Sequence, residues 1–455
     1  MHDLTQGSIT RHLLSMAAFI GIGLIFNTLY FLIDLYFVSR LGPSAIAGVG
    51  AAGVSSFLAM GASQLIAVGA MALIAQAAGR KDAAEANLIS NQALSLSVLF
   101  AAAALALGYA FGWRAMDAIA ADEATAVAGR EYLAAFLPSL ALMFPSAALG
   151  AALRGAGIVR PTMMVQSVTV LINAALAPVL IAGWGTGVPL GVAGAGWAST
   201  IAVAFGLVWL WVLFGRVQNF VRIDAAQAKP NMSQWGRIVA IGLPAAGEFV
   251  LMFVIIGVVY WVIRHFGPHA QAGFGVGVRV MQSVFLPAMA VAFAAAPIVG
   301  QNFGAGLAAR VRETFRQSAL IGAAIMLVLT ILCQVRPDLM IGAFTNDPEA
   351  LSVGADYLRI ISWNFIATAI AFTCSSMFQG LGDTRPAFLA SATRLLTFAA
   401  PAIWLSGRPD VTLQDIWRLS VLSVFLQAVV SYLLLRRQMR HKLDALEPRT
   451  AAAPA

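Results

Sequence analysis

The chain has 455 residues, of which 60% are hydrophobic and only 11% are charged. A soluble domain typically carries about 25% charged residues, and a mean hydropathy of +0.84 is too high for a chain that keeps its surface in water. The same composition excludes a disordered chain, and the two cysteines exclude a disulfide scaffold. The sequence therefore predicts a polytopic membrane protein.

Apolar runs long enough to cross a bilayer recur along the whole chain. A hydrocarbon core of ~30 Å needs roughly 20 helical residues per crossing. The runs lack the apolar/polar alternation of barrel strands, so the sequence predicts an all-α protein with twelve transmembrane helices. The predicted spans are 13–37, 44–76, 88–113, 132–153, 162–184, 190–214, 237–263, 271–300, 317–335, 357–379, 387–406 and 416–435.

The basic residues are distributed unevenly between the two sets of connecting loops. The loops on the side of both termini hold 18 Lys and Arg residues, the opposite loops hold 8, and 2 lie within spans. By the positive-inside rule, both termini are cytoplasmic. We therefore expect a multi-pass protein of the cell (inner) membrane. The net charge of +8 is then a property of the loops and does not indicate nucleic-acid binding.

The two halves of the chain repeat one another at a constant offset of 225 residues. The offset covers six predicted spans, which is an even number, so both halves have the same orientation in the bilayer. Parallel repeats of this kind are typical of transporters with a binding site at or between the repeats. The matching pairs are Gly42 and Gly267, Gly48 and Gly273, Asp122 and Asp347, Gly129 and Gly354, Tyr132 and Tyr357, Gly155 and Gly380, and Gly157 and Gly382.

This repeat predicts two six-helix lobes. The amino-terminal lobe is expected over residues 1–215 and the carboxy-terminal lobe over 237–436. A polar cytoplasmic linker over 216–236 joins them, and a cytoplasmic tail over 437–455 follows.

Several motifs stand in order on this frame. They are Asp34 before Arg40-Leu41-Gly42, Leu153-Arg154-Gly155-x-Gly157 before Arg160-Pro161, Asn173-x-x-x-x-Pro178 before Gly191 to Ala198, Ile241 to Pro244, Gly300-Gln301-Asn302-x-Gly304, and Gly380-Leu381-Gly382-Asp383 before Arg385-Pro386. Together they resemble the multidrug and toxic compound extrusion family of secondary transporters, across nearly the whole chain. The resemblance implies export of cationic or amphipathic drugs, driven by inward movement of H⁺ or Na⁺.

One position departs from the pattern of that family. Its members often carry a carboxylate immediately before the proline of the fifth span, where this chain has Ala177 before Pro178. The departure leaves few hard oxygen ligands for Na⁺ in this lobe. We therefore favour H⁺ as the coupling ion, with Na⁺ as the alternative, and expect no other cofactor and no metal site.

The first lobe offers a small set of polar side chains within its spans. Asn27, Tyr30 and Asp34 have the spacing of one helical face, and we expect this face to point to the lobe interior. Asn173 in the fifth span is expected to coordinate a cation or to hydrogen-bond protonated Asp34, although helix–helix packing explains it equally well. Ser199 is a further cavity residue. Asp34 and Asn173 are the predicted ion-coupling residues.

The second lobe contains Glu248, Arg279 and Arg394 within its spans. An ionisable residue at this depth is costly and indicates a functional site or an ion pair. We expect Glu248 to contact one of the two arginines, either structurally or as part of a substrate cavity. Asn364 in the tenth span is expected to line the same cavity.

These features favour an antiporter that exports organic cations or amphipathic drugs by alternating access. The alternative is a flippase or exporter of a lipid-linked or other amphipathic intermediate, whose cavity would be more strongly cationic. A nucleotide-driven pump is disfavoured because the chain has no Walker A sequence. An enzyme is disfavoured because all five histidines lie outside the predicted spans.

Overall fold

The computed structural model of the protein describes residues 2–216, 220–224, 226–342 and 347–446. Within these ranges every regular element is helical, and twelve helical segments are long and apolar enough to cross a membrane. The predicted fold class is therefore confirmed. Residues 217–219 and 225 of the predicted linker and residues 447–455 of the predicted tail lie outside the described residues.

Five of the six helices of the first half are longer than the apolar runs that predicted them, and the fifth has the same length. The six helices are α1 Ile9–Ser39, α2 Pro43–Gly79, α3 Ala83–Ile119, α4 Glu123–Gly155, α5 Arg160–Ala182 and α6 Gly191–Arg216. The additional residues lie at the polar ends of the helices, where capping hydrogen bonds stabilise the terminal turns. At the start of α4, for example, the Asp122 carboxylate accepts a hydrogen bond from the Thr125 amide at 2.7 Å.

The second half follows the same plan with one interrupted span. Its helices are α7 Met232–Ile263, α8 Pro268–Gly304, α9 Ala308–Val335, α10 Pro337–Gly342, α11 Pro348–Ile361, α12 Phe365–Gly380, α13 Arg385–Ser406 and α14 Leu413–Leu443. The predicted span 357–379 corresponds to α11 and α12, which a single 3₁₀ turn over Ser362–Asn364 separates. The short helix α10 was not predicted, because six residues are too few to produce a helical pattern.

Equivalent close contacts in the two halves confirm the internal repeat. A Cβ atom added at Gly155 would lie 2.9 Å from the Met71 carbonyl oxygen, and one added at Gly380 would lie 2.6 Å from the Ala296 carbonyl oxygen. Ala296 follows Met71 by the same 225 residues. The glycines of the repeated motif therefore let pairs of helices approach to backbone contact, which larger residues prevent.

By their internal contacts the residues form two units. Unit 1 contains Met1–Asp3 and Ile22–Ala246, and unit 2 contains Leu4–Gly21 and Gly247–Ala455. Helices α1 and α7 are continuous, yet each contributes its first part to one unit and its remainder to the other. The units thus differ from the predicted lobes in the placement of these two helix starts.

Hydrogen bonds explain why the start of α1 belongs to unit 2. The Leu4 amide donates to Oε1 of Gln301 at 3.0 Å, and the Leu4 carbonyl accepts from Asn302 Nδ2 at 3.2 Å. The Arg310 guanidinium donates to the Gly7 carbonyl at 3.0 Å. Gln301 and Asn302 belong to a motif on which the family resemblance rests, so this motif has a structural role in holding the amino-terminal segment.

Close helix packing explains why the start of α7 belongs to unit 1. A Cβ atom at Gly242 would overlap the Leu65 carbonyl group on α2, and one at Gly69 on α2 would overlap the Ile238 carbonyl group. The two helices therefore touch through their backbones at two positions, one turn apart on α7. Only glycine allows such an approach.

Candidate functional site

A buried polar cluster lies within unit 1, around the middle of α1. Tyr30 and Asp34 are one helical turn apart, and Asp34 is only 8% exposed. The Tyr30 hydroxyl donates a hydrogen bond to Ser199 Oγ on α6 at 2.6 Å. The expected inward orientation of these two α1 residues is thus observed.

Ser199 connects this cluster to α5. The Asn173 side-chain amide donates to Ser199 Oγ at 3.2 Å, and both residues are fully buried. The serine hydroxyl therefore accepts from two side chains that are 143 residues apart in the chain. In this way α1, α5 and α6 bring Tyr30, Asn173 and Ser199 together, as a single site requires.

Two oxygen atoms of the first lobe's polar side chains have no hydrogen-bond donor among the described residues. They are Asp34 Oδ1 and Asn173 Oδ1, and both are buried. A buried acceptor without a donor costs about 1 to 3 kcal/mol, and the cost is larger for a charged carboxylate. This chemistry suits the uptake of a proton or a small cation.

Tyr132 is a buried phenol of unit 1 that sequence reasoning did not select. It lies on α4, where its ring stacks on Phe136 with centroids 4.9 Å apart. The sequence did contain a signal for this residue, because Tyr132 and Tyr357 match in the repeat. Two matching tyrosines indicate a shared scaffold, but they do not identify the neighbours of either phenol.

Asn27 does not join the buried cluster. It lies on the same face of α1 as Tyr30, but it is exposed. Asn27 is therefore not part of the buried cluster, and its assignment to a substrate cavity stays a prediction. Helical spacing fixes which residues share a face, while burial depends on how far the neighbouring helices extend along α1.

A second polar cluster lies in unit 2, around Glu248 on α7. Ser375 Oγ of α12 donates to Glu248 Oε2 at 2.8 Å, and Ser391 Oγ of α13 donates to Glu248 Oε1 at 3.4 Å. Gln427 of α14 donates to Ser391 Oγ at 3.1 Å. The glutamate is thus held by neutral donors from two other helices.

The expected pairing of Glu248 with an arginine is wrong for the described part of the chain. Neither Arg279 nor Arg394 forms an ion pair with it there. Arg279 is exposed, whereas Arg394 Nε is buried without a hydrogen-bond partner among the described residues. Serine hydroxyls replace the arginine because they satisfy a carboxylate without the cost of desolvating a second charge.

The tyrosine that matches Tyr132 has different neighbours. The Tyr357 ring on α11 packs edge-to-face on Phe274 and Trp417, with ring centroids 5.4 Å and 4.9 Å away, whereas the Tyr132 ring stacks on Phe136. The side chains around the two phenols therefore differ although the backbones repeat.

Asn364 is buried, and its hydrogen bonds among the described residues are local. Its side-chain and main-chain oxygens both accept from the Thr368 hydroxyl, at 3.4 Å and 3.0 Å. It lies in the 3₁₀ turn that interrupts the tenth span. The structure therefore does not bring Asn364 to Glu248, and the expectation of a common cavity is not supported by these contacts.

Comparison with known families decides the class of this protein. The family described as MatE matches residues 20–179 and 244–405. The chain belongs to the MatE family. The two matched stretches are nearly equivalent under the 225-residue repeat, and each covers most of one half. MatE proteins are membrane transporters and not enzymes, as the sequence predicted.

Relatives of this MatE protein match it along most of its length. It is 22% identical over 412 residues to a protein of Shewanella oneidensis named "FAD transporter", covering 90% of each chain. It is 24% identical over 421 residues to the "Probable multidrug resistance protein YpnP" of Bacillus subtilis, covering 91% of each chain. The family's multidrug efflux function is thus represented among these relatives.

Solved structures share the fold of this MatE protein. A MOP superfamily transporter from Pyrococcus furiosus, whose reported feature is a binding pocket of reverse polarity, superposes with a TM-score of 0.88. The match covers 97% of this chain and 98% of that chain at 21% sequence identity. The twelve-helix transporter fold of this MatE protein therefore agrees with that of a solved relative.

Ser199→Ala tests whether the hydroxyl joins α1 to α5. The substitution removes the acceptor of two hydrogen bonds, so we expect it to destabilise the protein by about 1 kcal/mol. Thermal unfolding of the purified protein in detergent measures this as a lower Tm. Ser146→Ala is the matched control, because among the described residues Ser146 Oγ donates only to the Leu142 carbonyl of its own helix. Equal Tm values for both variants would contradict the bridging role.

Proposed function

We propose that this MatE protein is a proton-coupled antiporter that exports organic cations and other amphipathic drugs. The carrying observation is the pair of buried acceptor oxygens, Asp34 Oδ1 and Asn173 Oδ1, without donors among the described residues. Asp34 is the only one of the two that can take up a proton. We therefore assign ion coupling to Asp34, with Asn173 as its polar neighbour.

Protonation of Asp34 changes two properties of the cluster at once. It removes the negative charge that attracts a cationic substrate, and it converts an acceptor into an O–H donor. The proton and the drug then favour different states of the same site, which is the requirement for coupled exchange. Proton uptake from outside and release to the cytoplasm would drive export by alternating access.

The alternative coupling ion is Na⁺, and the residue beside Pro178 argues against it. Ala177 is fully buried and supplies no side-chain oxygen. A hard cation needs several oxygen ligands, and a proton needs only one. We therefore favour H⁺ in this unit.

Glu248 is proposed to contribute to substrate binding in the second lobe. Its carboxylate keeps two serine hydroxyl donors and no arginine among the described residues. Its negative charge is therefore not cancelled by a permanent positive partner. A cationic drug would supply the missing charge.

Arg394 favours a second candidate function, the export of an amphipathic compound with an anionic group. Its buried Nε atom has no partner in the described part of unit 2, and guanidinium groups bind carboxylates and phosphates well. A relative with 22% identity is named an FAD transporter. A lipid-linked intermediate belongs to the same chemical class.

Asp34→Asn should yield a protein that inserts and folds but cannot drive efflux. The asparagine keeps the size and polarity of the side chain and removes its ability to bind and release a proton. Transport of a fluorescent organic cation into liposomes under an imposed pH gradient measures this. Asp410→Asn, at an exposed carboxylate, is the control and should transport as the parent does. Unchanged transport by Asp34→Asn would refute the coupling role.

Glu248→Gln and Arg394→Gln distinguish the two substrate classes. If cations are the substrates, Glu248→Gln lowers efflux of the fluorescent cation several-fold, while Arg394→Gln at equal protein level does not. If anionic amphiphiles are exported, Arg394→Gln lowers efflux of a fluorescent anion, and Glu248→Gln has little effect. Parallel assays with both dyes, on the parent and both variants, give the answer. Loss of neither activity would remove both residues from the substrate site.

We further propose that the protein lies in the cell (inner) membrane with both termini in the cytoplasm. The proposal rests on the 18 basic residues on the side of the termini against 8 on the other side. A reporter that is active only in the cytoplasm, fused after Arg440, should be active. The same reporter fused after Arg408, on the opposite side, should be inactive. The reverse pattern would overturn the orientation.

A further inference from the structure

The outer surface of α6 carries a groove that transport by the buried clusters does not use. Near the end of the helix, a groove of about 580 Å³ is lined by Trp211, Val212, Gly215, Arg222 and Ile223. A second groove of about 320 Å³ is lined by Phe205, Val208, Trp209 and Val212. Both grooves include Val212, so they adjoin along α6.

The two grooves differ in chemistry along the helix axis. Apolar side chains line the smaller groove, where Phe205 and Trp209 form an edge-to-face pair with ring centroids 5.9 Å apart. An arginine appears only in the groove at the helix end. From Phe205 to Gly215 the helix rises by roughly 15 Å, which is about half the ~30 Å hydrocarbon core. The groove thus has the length of one membrane leaflet.

Arg222 is fixed in place through its backbone. Its amide donates to Asn87 Oδ1 at 2.6 Å, and its carbonyl accepts from Asn91 Nδ2 at 2.9 Å. Both asparagines belong to α3, and Asn91 is buried. The cationic residue therefore stands at a defined position beside the groove, although it lies outside any helix.

The guanidinium of Arg222 is available to a ligand. It forms no ion pair or hydrogen bond in the part of the chain that the structure describes, and the residue is exposed. The nearby carboxylate of Asp224 accepts from the Ala226 amide at 2.9 Å, which engages it in its own turn. Arg216, the last residue of α6, adds a second exposed positive charge at the same end.

From this arrangement we infer a binding site for an anionic phospholipid on unit 1. The anionic headgroup lies at Arg222, where its phosphate has no cation of its own as phosphatidylcholine does, and one acyl chain follows α6 past Val212 to Phe205. Aromatic rings and a basic side chain at the polar end are the chemistry that recognises lipid headgroups at a membrane interface. The apolar groove selects a lipid over free phosphate, because free phosphate gains nothing from it.

Lipid binding has a structural consequence for the segment after α6. Asn87 and Asn91 hold the backbone of Arg222, and Gln92 on the same helix donates to the Lys229 carbonyl at 2.7 Å. A phosphate on Arg222 therefore stabilises the contact of this segment with α3. The bound lipid acts as a stabilising component of unit 1 and is independent of the transported substrate.

The test is retention of defined lipid by the purified full-length protein. The protein is delipidated, then incubated with phosphatidylglycerol or phosphatidylcholine in mixed micelles, and bound lipid is counted by native mass spectrometry. We expect the protein to retain phosphatidylglycerol about 5-fold more strongly than phosphatidylcholine, because one basic residue near an anionic headgroup produces a preference of this size. Phosphatidylglycerol, but not phosphatidylcholine, should also raise the Tm.

Two variants and one control locate the site. Arg222→Gln should remove the preference for phosphatidylglycerol, and Gly215→Leu should lower retention of the lipid by filling the groove. A Cβ atom at Gly215 meets no described atom within 4 Å, so the backbone there leaves room for a side chain to begin. Arg436→Gln, at an exposed arginine near the end of α14, should behave as the parent does.

Several outcomes would overturn the inference. Equal retention of both lipids, or an Arg222→Gln variant with the parent's preference, would exclude an anionic headgroup at Arg222. If Arg436→Gln also lost the preference for phosphatidylglycerol, that preference would come from the general positive charge at the membrane interface and not from Arg222. A dimer that Gly215→Leu dissociates would assign the groove to a second copy of the chain.

Discussion

Hydrocarbon offers no hydrogen bonds, and this constraint organises the polar residues of the spans. The backbone meets it by forming helices throughout the described spans. Side chains meet it through partners on other helices, as Ser199 does for Tyr30 and Asn173. Asp34 Oδ1 has no hydrogen-bond donor among the described residues, so it is a buried acceptor that a proton, a cation or a water molecule would satisfy. The constraint that builds the fold therefore also points to the candidate site.

The repeat provides two copies of one scaffold with different chemistry. Repeated glycines allow the same backbone contacts in each half, and repeated tyrosines stand at matching positions. Yet the two acids have no counterparts, because under the 225-residue offset Asp34 corresponds to Val259 and Glu248 corresponds to Gly23. Close packing tolerates few changes at the glycines, whereas a cavity side chain is free to change its charge. An asymmetric transporter can therefore arise from a symmetric fold.

Helices α1 and α7 each contribute to both units, and each carries the acidic residue of one polar cluster. Leu4 is held in unit 2, while Tyr30 and Asp34 of the same helix belong to unit 1. Gly242 packs on α2 of unit 1, while Glu248 on the same helix is held by serines of unit 2. In the proposed function, protonation of Asp34 would therefore act on a helix that participates in both units. Such a helix is a suitable element for a two-state transition.

The sequence by itself determined the twelve spans, the parallel repeat and the presence of Asp34 and Glu248 within spans. These properties depend on local composition and on a constant offset, so no knowledge of tertiary contacts was needed. Only the tertiary structure decided which side chains meet: Ser375 and Ser391 contact Glu248, and Ser199 contacts Tyr30. It also decided that Asn27 is exposed. The two residues of each contact are more than 100 residues apart in the chain, and they meet because several helices pack together, which the periodicity of a single helix does not encode.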